Sequence, residues 1–198
     1  MIPRLDISFP LRRQLTYWFG KEYEPHKGEY LLNHARSGIV MALRAALPQG
    51  GRVGVVAYNC DTVFNAVYQA GCQCVFLDVA ERLTINVERL SANKLDAIVV
   101  TNLFGIHNDI ESIHKACPQA FIIVDNAHGY GLPADGDCTV YSINQGKSPA
   151  LGEGGLLVVS ALRANEEVRL KIEEQYRELP GYSAFQFWKL FAMMKAKA

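Results

Sequence analysis

Short apolar runs separated by segments of helical spacing occupy the middle of the chain. The runs are rich in Val and Ile and lack clean polar alternation, which is typical of strands covered on both faces. They lie at Val53–Tyr58, Cys74–Val79, Ala97–Leu103, Ala120–Asp125, Cys138–Ile143 and Gly155–Ser160. The pattern predicts six strands of one buried sheet.

Helical signals lie between several of these strands. The Ala- and Leu-rich segment Arg36–Leu47 stops at Pro48, and Thr62–Ala70 follows Asn59 or Asp61 as a possible cap. The spacing of apolar residues predicts a further helix over Asn108–Cys117. Strands that alternate with helices in this way indicate an α/β fold, in three α/β/α layers, with a mostly parallel sheet.

The character of the chain changes after residue 161. Leu162–Leu179 predicts a long charged helix, and Pro180 with Gly181 interrupts it. Ser183–Lys197 then predicts an apolar, aromatic helix, for which packing on protein is favoured over binding at a membrane surface.

Composition narrows the classes of function. Lys plus Arg equals Asp plus Glu, 20 each, so the charge favours neither nucleic acid nor an anionic membrane as a partner. The five cysteines form no CxxC pair and no metal-ligand spacing with histidine, so no metal site is expected. With no secretory leader and no apolar stretch long enough to span a bilayer, we expect a cytoplasmic protein.

Candidate chemistry lies where the predicted strands end. Because ligands of open α/β sheets gather at the carboxyl ends of the strands, these positions are the first to inspect. They are Tyr58 to Cys60, Asn102 to Gly105, Asp125 to His128 and Ser142 to Lys147, together with the helix start at Ala35 to Gly38.

Each of these residues has an ordinary and a functional interpretation. Asp125, at the end of the run FIIVD, either caps a loop, holds a metal, or pairs with a cation such as a protonated pyridine nitrogen. Lys147 is either a solvated loop lysine or an amine that forms an imine with a carbonyl cofactor. Ser142 and the amides at the start of the Arg36 helix suit a phosphate, or ordinary hydrogen bonding.

Several motifs in the right order decide between these interpretations. The chain contains HARSGIVMAL, VAYNCDTVFNAV, VTNLFGIHNDI, IVDNAHGYG, VYSINQGKSP and LGEGGLLVV. In order and spacing, the segment from about His34 to Ser160 resembles the DegT/DnrJ-type sugar aminotransferases, a branch of the fold-type-I pyridoxal-phosphate enzymes. The intervals from Asp125 to His128 and from Ser142 to Lys147 are those of the family.

The resemblance implies a role for each matching residue. Lys147 would form the Schiff base with pyridoxal phosphate and carry the proton, and Asp125 would pair with the pyridine nitrogen. His128 would lie against the ring or its phenolic oxygen, and the phosphate would be bound by Ser142, Arg36 and Ser37. The family usually has an aromatic ring at Cys60, Gly-Thr at Ala35-Arg36 and His at Asn102, so this chain departs from the pattern at those positions.

The resemblance also implies an architecture and an activity. It indicates a sheet of about seven strands with one antiparallel strand, a cofactor-binding large domain with an N-terminal helical arm over residues 1–160, and the start of a truncated or missing small domain over residues 161–198. The implied activity is transfer of an amino group from an amino acid to a keto-sugar nucleotide, for polysaccharide or amino-sugar biosynthesis, by a homodimer.

Two alternatives stay open. One is a truncated, non-catalytic homologue or fragment that retains the cofactor-binding fold. The other is a related sugar dehydratase, against which Lys147 counts, because that branch carries histidine in place of the Schiff-base lysine.

Overall fold

Seven strands form the centre of the molecule. The structure, a computed structural model, describes residues 27–144, 146–147 and 154–179. Within them the strands are β1 (Glu29–Leu32), β2 (Arg52–Val56), β3 (Gln73–Leu77), β4 (Ala97–Thr101), β5 (Phe121–Asn126), β6 (Cys138–Ser142) and β7 (Gly155–Val159). The six apolar runs are therefore confirmed as strands, each ending one or two residues from the expected limit.

The strands make one sheet in the order β1-β7-β6-β5-β4-β2-β3. Neighbours pair in parallel from β3 through β6, while β7 runs antiparallel to both β6 and β1. This confirms the expected mostly parallel sheet with one antiparallel strand. The strand missing from the prediction is β1, whose four residues EYLL give too short a pattern to separate from a loop.

Four helices flank the sheet. They are α1 (Ala35–Ala46), α2 (Asp61–Gln69), α3 (Ile110–Ala116) and α4 (Glu166–Glu178), with 3₁₀ turns at Val87–Asn93 and Leu103–Gly105. The cap residue of α2 is Cys60 rather than Asn59 or Asp61, and it makes no side-chain capping bond. Helix α4 begins later than the pattern indicated because the Asn165 side chain accepts from the Val168 N–H and fixes the start.

The two faces of the sheet are covered by different helices. Alternate strand residues pack with α1, α2 and α4 on one face, and the others pack with α3 and the 3₁₀ turn Val87–Asn93 on the opposite face. Helix α1 approaches the sheet closely, because a Cβ on Gly38 would lie 2.8 Å from Val140 Cγ1. The result is the predicted three-layer α/β/α arrangement.

Helix α4 shares the core of the sheet rather than standing apart from it. Val168 and Ile172 are buried in the same apolar cluster as α1, and Tyr176 packs edge-on against Tyr30 with ring centroids 5.0 Å apart. The Gln175 amide also donates to the Met41 carbonyl at 3.2 Å. The expected N-terminal arm and the helix over Ser183–Lys197 lie outside the described residues.

Candidate active site

The candidate residues meet at the carboxyl edge of the sheet because β4, β5 and β6 are adjacent and parallel. Thr101 at the end of β4 is in register with Asp125, and Asn126 is in register with Tyr141, one residue before Ser142. Side chains at the three strand ends therefore lie side by side, although 24 and 17 residues separate them along the chain.

Asp125 is the buried acid of this edge. Only 3% of the residue is exposed, and its carboxylate accepts from the Ala127 N–H at 3.0 Å and from the Thr101 hydroxyl at 3.4 Å. Burial raises the pKa of the Asp125 carboxyl, against the opposing effects of the Ala127 N–H, the Lys147 charge and the Thr101 hydroxyl. A buried carboxylate with two neutral donors is thus poised to take a cationic partner.

Lys147 lies in a tight turn that follows β6. Its N–H donates to the Asn144 carbonyl at 3.0 Å, Gly146 adopts φ +89°, and the Asn144 side chain accepts from the Gly154 N–H at 2.8 Å. The ammonium group of Lys147 acts to lower the pKa of both Asp125 and His128. The amine of Lys147 therefore lies close enough to the acid of Asp125 and the imidazole of His128 for its charge to act on both.

His128 follows β5 and packs on the loop after β4. Its ring stacks on Phe104 with centroids 5.8 Å apart and planes at 18°, and Nδ1 accepts from the Phe104 N–H at 3.4 Å. Burial and then the Lys147 charge lower the pKa of His128, which favours the neutral imidazole. Phe104 adopts φ +53°, a left-handed conformation that is uncommon for a residue with a side chain.

The start of α1 lies beside Ser142. Ser142 is in register with Gly155, and a Cβ on Gly155 would clash with the backbone nitrogen of Ala35, so the first turn of α1 abuts β7. The His34 side chain does not cap the helix, and no acidic residue lies in its first turn. Arg36 is exposed and Ser37 is half-buried. This end of the site has a helix N-terminus, a hydroxyl and a guanidinium, which together suit an anion.

Cys60 lies further along the same edge, after β2. It is exposed, and its thiol contacts Thr62 Oγ1 at 3.1 Å and Asp61 Oδ1 at 3.5 Å. Among the described residues, the structure records no contact of Cys60 with Asp125, His128 or Lys147. Tyr58, a possible substitute for the missing aromatic ring, is also exposed.

The buried amides of Asn102, Asn108 and Asn126 hold the loops of this edge, and of the three only Asn108 was not among the candidate positions in the sequence. Asn102 Nδ2 donates to Asn126 Oδ1 at 2.6 Å, while Asn102 Oδ1 accepts from the Asn108 N–H at 2.8 Å and from its side chain at 3.0 Å. Asn126 in turn donates to the Pro133 carbonyl. The sequence signal for this network is the presence of three asparagines at or after strand ends. Their contacts with one another become visible only once β4 is paired with β5.

Other kinds of site were sought in the same residues. Within the described ranges no group of His, Cys, Asp and Glu is arranged to hold a metal ion. None of the helices described combines the length and the apolar character that a bilayer crossing demands. A cavity of about 300 Å³ is lined by His107, Asp109, Ile110, Glu111 and Asp135, and Lys147 is not among its lining residues.

Several solved structures share this fold. DesV from S. venezuelae has a TM-score of 0.65 and 21% identity, over 78% of this chain and 45% of that one. NtdA from Bacillus subtilis, solved with bound cofactor PMP, has 0.65 and 22%, over 83% and 39%. A GDP-4-keto-6-deoxymannose-3-dehydratase, ColD, has 0.62 and 22%, over 79% and 44%. No curated protein sequence gives a significant match.

The chain spans less than half the length of the solved structures that it matches. The family model of the DegT/DnrJ/EryC1/StrS aminotransferases matches residues 27–177, which are 151 of the 198 residues. That interval begins two residues before β1 and ends one residue before the end of α4, and it includes every strand of the described sheet. The chain therefore belongs to the DegT/DnrJ/EryC1/StrS aminotransferase family.

Proposed function

We propose that this chain is the cofactor-binding large domain of a pyridoxal-phosphate-dependent aminotransferase that acts on a keto-sugar nucleotide. The observation that carries the proposal is the buried carboxyl of Asp125, electrostatically coupled to the amine of Lys147 at the carboxyl edge of the sheet. Membership of the aminotransferase family supports the same reaction class.

The residues fit the cofactor at its ring end. Asp125 has two neutral hydrogen-bond donors and an unfavourable degree of burial for an anion, so a protonated pyridine nitrogen would supply the missing positive charge. His128 has a lowered pKa and would lie against the ring as a neutral group. Its own packing on Phe104 holds it at this position.

The residues also fit the phosphate end. The first turn of α1 offers backbone N–H groups that no side chain caps, and Ser142 lies beside it through the pairing of β6 with β7. We assign the phosphate to Ser142, Ser37, Arg36 and the amides at the start of α1. Cys60 is assigned to the ring environment, where it would leave more room above the ring than the usual aromatic residue.

The chemistry is divided between cofactor and protein. When bound, pyridoxal phosphate supplies an electron sink that stabilises negative charge at the substrate carbon. Lys147 Nζ would hold the aldehyde carbon in the resting state and, once released, would take a proton from the substrate and return it. Asp125 would keep the ring nitrogen protonated, which makes the sink effective.

Substrates and assembly are inferred from the family. An amino acid such as glutamate would give its amino group to a keto-sugar nucleotide, in polysaccharide or amino-sugar biosynthesis in the cytoplasm. We expect a homodimer, because family sites draw residues from two subunits. We assign residues 1–160 to the large domain and residues 161–198 to helices that lead to a small domain. Because helix α4 packs on α1, the helix that follows this boundary shares the core of the large domain. The boundary at residue 160 therefore does not coincide with a gap in the packing.

The destination of the amino group tests the reaction. The chain, supplied with pyridoxal phosphate and ¹⁵N-glutamate, is incubated with keto-sugar nucleotides, and the products are analysed by mass spectrometry. We expect ¹⁵N in the sugar and 2-oxoglutarate in equal amount, with neither formed by Lys147→Ala. A product that lacks an oxygen and carries no ¹⁵N would show a dehydratase instead.

A second candidate is a non-catalytic homologue or fragment that retains the cofactor-binding fold. The observation that favours it is the exposed Cys60, which stands where the family usually has an aromatic ring. It predicts that the chain binds pyridoxal phosphate without forming either product. The dehydratase related to ColD is disfavoured, because Lys147 occupies the position that carries histidine in that branch.

A further inference from the structure

Asn59, Thr101 and Asp125 form a chain of hydrogen bonds across three neighbouring strands. Asn59 follows β2, Thr101 ends β4 and Asp125 lies at the end of β5, and these strands are adjacent in the sheet. The Asn59 amide donates to Thr101 Oγ1 at 2.8 Å, and the Thr101 hydroxyl lies 3.4 Å from Asp125 Oδ2.

The direction of this chain is fixed at its outer end. The Cys60 N–H points at Asn59 Oδ1 at 2.8 Å, and because a backbone N–H only donates, the oxygen of the amide must face Cys60. The amide nitrogen is then the atom that faces Thr101, and it can only donate. Turning the amide over would place two donors against each other at Cys60, which excludes the reverse direction.

The direction passes to Thr101. A hydroxyl has one proton, and since Asn59 already donates to the Thr101 oxygen, the Thr101 proton is left for Asp125. Thr101 is only 6% exposed, and its β-branched side chain has few rotamers, so water does not readily replace either partner. The Thr101 carbonyl is also held by the Asn108 amide at 3.2 Å.

We propose that Thr101 and Asn59 are positioning residues that orient the Asp125 carboxylate and favour its ionised form towards a protonated ring nitrogen. The inference rests on the proposed function for the identity of that nitrogen. One oxygen of Asp125 is held by the Ala127 N–H and the other by Thr101, so the plane of the carboxylate is set from both sides. The charged group that acts on Asp125 is Lys147, and the same charge acts on His128.

The first test uses the protein without cofactor. The Asp125 carboxyl is titrated by NMR in wild type, Thr101→Val, Thr101→Ser and Asn59→Ala. Thr101→Val keeps the shape and removes the donor, so we expect the pKa of Asp125 to rise, with Thr101→Ser close to wild type and Asn59→Ala shifted in the same direction by less. An unchanged titration in Thr101→Val would overturn the proposal, whether or not the chain binds pyridoxal phosphate.

The second test separates positioning from a merely structural role. Dissociation constants are measured for pyridoxal phosphate and for its deaza analogue, in which carbon replaces the ring nitrogen. Loss of one hydrogen bond to a charged group predicts roughly tenfold weaker binding of pyridoxal phosphate to Thr101→Val, and less than about a twofold change for the analogue. Equal weakening of both ligands would contradict a role through the ring nitrogen. Failure of the wild type to bind pyridoxal phosphate would refute the proposed function itself.

Discussion

The charge of Lys147 acts on Asp125 across the carboxyl edge of the sheet, although 22 residues separate them in the sequence. Burial raises the pKa of the Asp125 carboxyl and the ammonium group opposes that shift. The same charge also lowers the pKa of His128, because a neighbouring cation disfavours protonation of the imidazole. The charge of Lys147 thus favours the anionic form of the acid and the neutral form of the imidazole, a combination that suits a site for an aromatic cation.

Replacing Lys147 should therefore move two titrations in the same direction. In Lys147→Met the pKa of Asp125 should rise because an attractive charge is lost, and the pKa of His128 should rise because a repulsive charge is lost. NMR titration of the two side chains in the cofactor-free protein measures both. Lys147→Arg retains the charge and should leave both near their wild-type values. If neither titration moves in Lys147→Met, the amine is not close to the two groups.

Asp125 should make stability depend on pH in a defined direction. Its pKa is raised in the folded state, so the unfolded chain releases the proton first and the folded state loses stability as pH rises from about 4 through the folded pKa. Relative to Asp125→Asn, the wild-type free energy of unfolding should be highest in acid, fall across that window and then stay level. Urea denaturation over a pH series measures the difference. A difference that grows with pH would show that the native site stabilises the anion overall.

The core position of α4 predicts a contrast between two residues on that helix. Ile172 is fully buried and Leu170 is 60% exposed. Ile172→Ala should reduce the free energy of unfolding by about 2–5 kcal/mol, whereas Leu170→Ala should change it by less than about 1 kcal/mol. Urea denaturation of both variants tests the contrast. Similar small losses would mean that α4 is not part of this core.

Gly155 should be intolerant of any side chain. A Cβ there would clash with the backbone of His34 and Ala35, so Gly155→Ala must displace the start of α1 or the end of the sheet. We expect a loss of about 1–3 kcal/mol in stability, together with weaker binding of pyridoxal phosphate through its phosphate. Denaturation and cofactor titration measure the two effects. Wild-type affinity in a folded Gly155→Ala protein would argue against the phosphate site at α1.

The sequence predicted the elements better than their contacts. Runs such as FIIVD predict a buried strand with an acid at its end. The observed limits of β5 and β6 lie within one residue of the predicted limits. Strand β1 was missed because EYLL carries no period, and its place in the sheet is set by pairing with β7, more than 120 residues away.

The same limit applies to the site. Asp125 and Lys147 were predicted as site residues because each is chemically distinctive and the intervals around them match those of a family. Thr101 lies within the predicted strand Ala97–Leu103, where nothing in the sequence distinguishes it from a core residue. Its proposed role depends on its register with Asp125, and no local sequence pattern specifies that register. Asn59 likewise gains its partner only through the order of β2, β4 and β5 in the sheet.

The covalent partner of the cofactor is the most direct measurement of the site. The chain is incubated with pyridoxal phosphate, its visible absorption is recorded, and the mixture is reduced with borohydride and digested for peptide mapping. We expect a visible absorption band from the imine between Lys147 and the cofactor, and this band should be absent in Lys147→Ala. We also expect peptide mapping to find the reduced adduct on Lys147. An adduct on another lysine, or a band that survives in Lys147→Ala, would contradict the assignment.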